Sequence, residues 1–216
     1  MTRFAVFDLD HTITRASTGR RLIQHGRAAG IFSNRDLMLL PYYYVRYRAG
    51  KLRIDQVAER IMHLEGRTFI ELTAVASVCF QKHVLGDIMP GAVELIERHR
   101  NDGYEIVLAT SSLNLIVRPV AEELSINHVV CTELEFADGV ATGNFVHPPC
   151  YGHEKLRRVS ELVEGLGGSL QNVVFYSDSR LDLPLLRAVG TPIVVNPDRG
   201  LRREARASRW PILSLS

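Results

Sequence analysis

The feature that most constrains the fold is a repeated alternation between short apolar runs and segments with helical spacing. The apolar runs cover residues 4–9, 106–109, 128–131, 173–176 and 193–195. They are rich in β-branched residues and nearly continuous in apolar character, which is typical of strands buried on both faces of a parallel sheet. Helical spacing follows in residues 91–100, 114–124 and 154–166. The pattern predicts an α/β fold on a doubly wound parallel sheet, for which we assume the common strand order 3-2-1-4-5.

Two stretches interrupt this alternation. The longer one has no strand pattern and predicts four helices, over 18–29, 33–48, 54–64 and 68–85. We therefore expect two domains, an α/β core formed by residues 1–13 and 87–216 and a helical cap formed by residues 14–86. In the second stretch, Asp138 and Gly139 separate two short apolar segments. This dipeptide is a strong turn signal and predicts a β-hairpin within residues 133–145.

Bulk composition excludes some classes of partner. The chain has 26 basic and 24 acidic residues, so its net charge of +2 gives no general attraction to nucleic acid or membranes. The longest apolar runs fall far short of the roughly 18 residues that a membrane span needs. Signal-peptide architecture is absent from the N-terminal residues, and the three cysteines are widely spaced. We expect a cytoplasmic protein without a nucleic-acid or membrane partner; the sequence does not indicate its oligomeric state.

Four carboxylates follow two of the predicted strands. Asp8 and Asp10 come after the first strand, and Asp178 and Asp182 come after the fourth. Each pair is also typical of a turn or helix cap, and Asp182 stands where it would cap a helix that begins next to it. In the order 3-2-1-4-5, strands one and four are neighbours, and ligand sites form outside their carboxyl ends. The four side chains are therefore expected to converge.

Hydroxyl groups and a lysine complete the candidate set. Thr110, Ser111 and Ser112 follow the second strand and precede a predicted helix, while Lys155 lies in the first turn of another helix. Hydroxyl and N–H groups at a helix N-terminus can bind an anion, although such residues are also ordinary N-caps. A lysine is unfavourable near that end, although a solvated lysine remains an alternative. Combined with clustered carboxylates, these groups predict a site for Mg²⁺ and a phosphate group.

At these residues the chain resembles the haloacid dehalogenase (HAD) superfamily, specifically its phosphoserine-phosphatase-like subfamily IB with a helical C1 cap. The first motif corresponds to residues 8–12, the second to Thr110, the third to Lys155 and the fourth to residues 177–182. The resemblance covers essentially the whole chain. It implies a Mg²⁺-dependent phosphatase that hydrolyses small phosphomonoesters through an aspartyl-phosphate.

The resemblance also implies a role for each motif residue. Asp8 would be the nucleophile and Asp10 the general acid and base. The phosphate would be bound by Thr110, Ser111 and Lys155, and Asp182 would orient Lys155 or a metal-bound water. Mg²⁺ would be held by the carboxylates of Asp8 and Asp178 and by the main-chain carbonyl of Asp10.

One departure from the subfamily bears on the substrate. Phosphoserine phosphatases have a cap glutamate nine residues after the nucleophile, and this chain has Ser17 there. We therefore expect a substrate other than phosphoserine. Three alternatives stay open: a phosphotransferase or mutase with an organic acceptor, a carbon–halogen hydrolase that would not need Asp10, and a non-catalytic binding protein on the same scaffold.

Two groups of basic residues have open interpretations. The first belongs to the predicted cap and is followed by the aromatic segment 41–48; its members are Arg15, Arg20, Arg21, His25 and Arg27. They are consistent with a pocket for an anionic or amphiphilic ester, or with a solvated face and aromatic packing. The second lies near the end of the chain and contains Arg199, Arg202, Arg203, Arg206 and Arg209. It is consistent with a solvated helix face or with an anionic partner.

Overall fold

The computed structural model describes residues 2–32, Met38 and 64–216. Its main sheet has six parallel strands in the order β3-β2-β1-β6-β7-β8. The strands are Phe4–Phe7 (β1), Glu105–Leu113 (β2), His128–Thr132 (β3), Val173–Ser177 (β6), Thr191–Val195 (β7) and Ile212–Leu213 (β8). A separate antiparallel hairpin consists of Leu134–Ala137 (β4) and Val140–Phe145 (β5). The predicted order 3-2-1-4-5 and the hairpin are both confirmed, and β8 is an additional edge strand.

Seven α-helices are present in the described residues. They are Thr18–Ala28 (α1), Phe69–Cys79 (α2), Pro90–Asn101 (α3), Asn114–Glu123 (α4), Gly152–Gly165 (α5), Leu183–Ala188 (α6) and Arg199–Ala207 (α7). A π-helical turn, Phe80–Val84, and a 3-10 turn, Leu85–Asp87, extend α2 towards the sheet. Among the described helices, none has the length and apolarity that a membrane span requires.

The sheet is covered on both faces, which explains why its strands are apolar throughout. All four residues of β1 are buried. Ala5 and Phe7 belong to one core cluster, whereas Phe4 and Val6 belong to a second. Because successive strand side chains point to opposite faces, this division shows one core on each side of the sheet.

The described residues include only some of the predicted cap helices. The first and fourth correspond to α1 and to α2 with its extension. The second and third, and the aromatic segment 41–48, lie outside the described residues except for Met38 and Leu64. The two ends of the inserted stretch run side by side, since Arg15 N donates to Asp87 O at 2.8 Å and Met89 N donates to Ile13 O at 2.9 Å. The domain boundaries themselves stay a prediction.

Candidate active site

A buried lysine lies between two carboxylates at the carboxyl ends of β1 and β6. Lys155 Nζ donates to Asp8 Oδ1 at 2.9 Å and to Asp182 Oδ2 at 2.9 Å. The side chains of Asp8, Lys155 and Asp182 are 8%, 2% and 2% exposed. Ser177, the last residue of β6, donates from its hydroxyl to Asp182 Oδ2 at 2.7 Å. The lysine is therefore a buried member of the site and not a solvated residue.

The expectation that Asp182 caps a helix is wrong. Asp182 occupies the N-cap position of α6, but its carboxylate makes no capping hydrogen bond. It accepts hydrogen bonds from Lys155 and Ser177 instead. The physical reason is that two buried donors, the Lys155 ammonium group and the Ser177 hydroxyl, use this carboxylate as acceptor, and leaving them unsatisfied would cost more free energy than an uncapped helix end.

Burial also changes the proton affinities of this trio. Burial raises the pKa of Asp8 to about 7; Lys155 opposes this shift, and the nearby Asp182 carboxylate adds to it. Burial acts to lower the pKa of Lys155, but Asp182 and Asp8 together hold that pKa well above its usual value. With both carboxylates ionised, the trio has two negative charges and one positive charge. A further cation nearby would therefore relieve the remaining repulsion.

Asp10 lies in a different environment, made of hydroxyl and N–H groups. Its Oδ1 accepts from Thr18 N at 2.8 Å and from Thr18 Oγ1 at 2.7 Å. Its Oδ2 accepts from Ser17 Oγ at 3.0 Å and from Ser112 Oγ at 3.2 Å. Ser17 also caps α1 by accepting from Arg20 N. Four donors from α1 and β2 thus surround one carboxylate.

Sequence reasoning missed these contacts of Ser17, Thr18 and Ser112. Ser112 was visible as a hydroxyl after an apolar run, and Ser17 as a residue that replaces a glutamate. An available signal was that a helix beginning at residue 18 must start close to the loop that holds Asp10. Which of the three hydroxyls after residue 109 would meet that carboxylate depends on the path of β2.

The second motif has a different local structure from the predicted one. β2 does not end before the hydroxyls but continues through them to Leu113, with an irregular register between Ala109 and Leu113. Thr110 is buried, and its Oγ1 accepts from Ser112 N at 3.1 Å. The carbonyl of Ser111 accepts from Thr132 Oγ1 at 2.8 Å. The hydroxyls therefore do not cap α4, whose N-cap residue is Leu113.

Asp178 lies beside the loop of the first motif. Its main-chain N donates to Thr12 Oγ1 at 3.1 Å. Asp178 lines a cavity of about 390 Å³, together with His11, Arg15 and Asp198. His11 has a φ of 61°, in the left-handed region where glycine or asparagine is more usual. The structure thus places Asp178 next to the segment that carries Asp8 and Asp10.

The predicted basic groups are largely on the surface. Arg21 forms an ion pair with Asp87 at 2.8 Å, which ties α1 to the 3-10 turn before α3. The C-terminal arginines are exposed on and just after α7. Arg15 also lines the cavity next to Asp178.

Comparisons with known proteins agree with this geometry over nearly the whole chain. The family model described as haloacid dehalogenase-like hydrolase matches residues 5–187. A histidinol-phosphatase of Neisseria meningitidis serogroup C is 30% identical over 220 residues, covering 99% of this chain and 99% of that protein. A phosphoserine phosphatase of Mycobacterium tuberculosis is 30% identical over 217 residues, covering 98% of this chain and 70% of that protein. The structure of a protein with unknown function from Bordetella pertussis has a TM-score of 0.89 at 29% identity, covering 99% of both chains.

Proposed function

The chain belongs to the haloacid dehalogenase-like hydrolase family, and from this membership and the geometry of the site we propose that it hydrolyses small phosphomonoesters through a phospho-aspartate on Asp8. The observation that carries the proposal is the buried contact of Lys155 with Asp8 at the end of β1. It places a cation beside the proposed nucleophile, where it can also bind a phosphate oxygen. The relatives named as phosphatases support the same class of reaction.

Two steps account for the reaction. In the first, a carboxylate oxygen of Asp8 attacks phosphorus while the bond from phosphorus to the ester oxygen breaks, and Asp10 gives its proton to the leaving alkoxide. In the second, Asp10 takes a proton from a water molecule that attacks the acyl-phosphate. Phosphate leaves, and Asp8 and Asp10 return to their starting states. Thr110, Ser111 and Lys155 are proposed to bind the oxygens of the transferred group.

Mg²⁺ fits the donor set. Within the described residues, no three Asp, Glu, His or Cys side chains are grouped so that they could hold a metal ion by themselves. The Asp10 carboxylate is occupied by hydrogen bonds from α1 and β2. This arrangement suits an ion held by the carboxylates of Asp8 and Asp178, the carbonyl of Asp10 and several waters, which Mg²⁺ commonly keeps. When bound, the ion supplies positive charge that offsets repulsion between carboxylate and phosphate.

The substrate is proposed to be a small phosphomonoester other than phosphoserine. Ser17 stands where the resemblance implies a substrate-binding glutamate, and its hydroxyl is already engaged by Asp10 and Arg20 N. It therefore does not supply the charge that would pair with a substrate amine. One relative is named histidinol-phosphatase, so phosphate esters of amino alcohols belong in any substrate panel. Selectivity is assigned to the proposed cap, residues 14–86.

The test is release of inorganic phosphate from a panel of phosphomonoesters, with Mg²⁺ and with a chelator. We expect Mg²⁺-dependent release that disappears in Asp8→Asn. Release at the wild-type rate by Asp8→Asn would contradict the proposal. Release of phosphate without any added acceptor separates hydrolysis from the phosphotransferase alternative. A phosphotransferase would release little phosphate with or without an organic alcohol, and adding the alcohol would instead yield its phosphate ester.

A further inference from the structure

The carboxylate of Asp10 is where the first helix meets the sheet. Thr18 Oγ1 donates to Asp10 Oδ1 at 2.7 Å, and Ser112 Oγ donates to Asp10 Oδ2 at 3.2 Å. The two hydroxyl oxygens are themselves in contact at 2.9 Å, although 94 positions separate Thr18 and Ser112 in the chain. While both hydroxyl protons are donated to Asp10, neither is left for a hydrogen bond between the two hydroxyls. The three side chains therefore form a closed triangle that spans α1, β2 and the loop after β1.

The two hydroxyl residues of this triangle are buried, whereas Asp10 is partly exposed. Thr18 is 1% exposed and Ser112 is 7% exposed. Buried hydroxyl groups are costly unless they are hydrogen-bonded, so the contacts with Asp10 satisfy a requirement of the fold itself. In turn they fix both oxygens of the Asp10 carboxylate, since Thr18 of α1 binds Oδ1 and Ser112 of β2 binds Oδ2.

We propose that Thr18 and Ser112 are positioning residues that hold Asp10 in the geometry needed for proton transfer, an inference that rests on the proposed function. A general acid must lie within hydrogen-bond reach of the leaving oxygen, and a displacement of about 1 Å can cost on the order of 10²-fold in rate. A hydroxyl both donates and accepts hydrogen bonds. The same two groups can therefore hold Asp10 before and after its proton is transferred, which a lysine or arginine partner could not do.

The inference is tested by how strongly each variant depends on the leaving group. The probes are p-nitrophenyl phosphate, whose leaving group needs little protonation, and phenyl phosphate, whose leaving group needs more. The variants are Thr18→Val and Ser112→Ala, which delete one hydroxyl each, with Asp10→Asn as the reference. The quantity measured is kcat/KM, because it reports the steps up to transfer of the phosphoryl group.

We expect Asp10→Asn to lower kcat/KM for phenyl phosphate by about 10²- to 10⁴-fold, the usual contribution of general acid–base catalysis, and much less for p-nitrophenyl phosphate. Thr18→Val and Ser112→Ala should show the same selective loss, reaching about 10- to 100-fold for phenyl phosphate. Thr18→Ser keeps the hydroxyl and should restore most of the rate.

Equal losses on the two esters, or no loss, in both hydroxyl variants would overturn the inference, because a merely structural role does not distinguish leaving groups. If Asp10→Asn itself showed no selective loss, the proposed role of Asp10 as the general acid would be wrong. Should Thr18→Val not fold, Ser112→Ala tests the same triangle from the sheet side.

Discussion

Two aspartates that are two positions apart, Asp8 and Asp10, are held by opposite kinds of interaction. Asp8 is buried against an ammonium group that it shares with Asp182, and its environment is defined by charge. Asp10 accepts hydrogen bonds from three neutral hydroxyl groups and one main-chain N–H, which fix the orientation of its carboxylate. The difference matches the two proposed tasks, since a nucleophile beside phosphate needs charge compensation and a proton donor needs accurate placement.

The comparison of Asp8 with its partner Lys155 also gives different expectations for stability and for activity. Removing the charge of Asp8 leaves Lys155 and Asp182 as a balanced pair, whereas removing Lys155 leaves two buried carboxylates together. Neutralising Asp8 and neutralising Lys155 should therefore change the free energy of unfolding in opposite directions, although the two residues share one contact.

Asp8→Asn should lower phosphate release on the order of 10⁴-fold or more, since loss of a covalent nucleophile is among the most severe active-site changes. In chelator, its unfolding free energy should equal or exceed that of the wild type, because the trio becomes electrically balanced. Phosphate-release assays and urea denaturation measure the two quantities. A large loss of stability would show that the Asp8 charge is a structural requirement and would remove the contrast with Lys155.

Lys155→Met should lose both activity and stability. Removing one partner of a buried ion pair typically costs about 3–5 kcal/mol, because the remaining charge has no compensation. Arg157→Ala is the matched control on the same helix, since Arg157 pairs with Glu154 and Glu161 at the surface. Urea denaturation should show a large change for the first variant and little for the second. Similar changes in both would mean that burial of Lys155 contributes nothing special.

Asp178→Asn should raise the Mg²⁺ concentration needed for half-maximal activity by at least about 10-fold, because one proposed carboxylate ligand becomes a neutral amide. Asp198→Asn is the control: Asp198 lines the same cavity and caps α7, and asparagine is an equally good cap. Mg²⁺ titrations of phosphate release compare the two variants. An unchanged Mg²⁺ requirement in Asp178→Asn would exclude that residue as a ligand.

The smallest predicted effect concerns His99, which forms a hydrogen bond with the Tyr176 hydroxyl at 2.7 Å. Burial lowers the pKa of His99 from its ordinary value of 6.5. Between that value and the lower folded pKa, the unfolded chain binds the proton more readily, so stability falls as pH falls below about 6.5. Thermal unfolding of His99→Gln should show a weaker decline over this range. An unchanged decline would assign the pH dependence to other groups.

Much of the fold could be predicted from the sequence because the strand signals and the helix signals were consistent with the same architecture. Continuous apolar runs predicted strands buried on both faces, and alternation with helices predicted a doubly wound sheet, whose common strand order is the one that the structure shows. The edge strand β8 was not predicted, because two residues carry no measurable periodicity. β2 was predicted too short, because Thr110 and the two serines that follow read as a loop although they continue the strand.

The candidate site was predictable where residue type alone carried the signal. Carboxylates and a lysine at strand and helix ends indicated the group that includes Asp8, Lys155 and Asp182. The hydrogen bonds of Thr18 and Ser112 to Asp10 were not predictable, because they depend on how the start of α1 approaches the irregular end of β2. Asp182 showed the opposite error: its local sequence favours a cap, and a distant lysine overrides that preference.

The most direct test of the central claim is to trap the covalent intermediate on Asp8. The protein is mixed with Mg²⁺ and a radiolabelled phosphomonoester that the panel identifies as a substrate, quenched in acid during turnover, digested and mapped by mass spectrometry. We predict alkali-labile phosphate on the peptide that contains Asp8, and none in Asp8→Asn. Phosphate on another residue, or active turnover with no labelled protein at any time, would contradict the account.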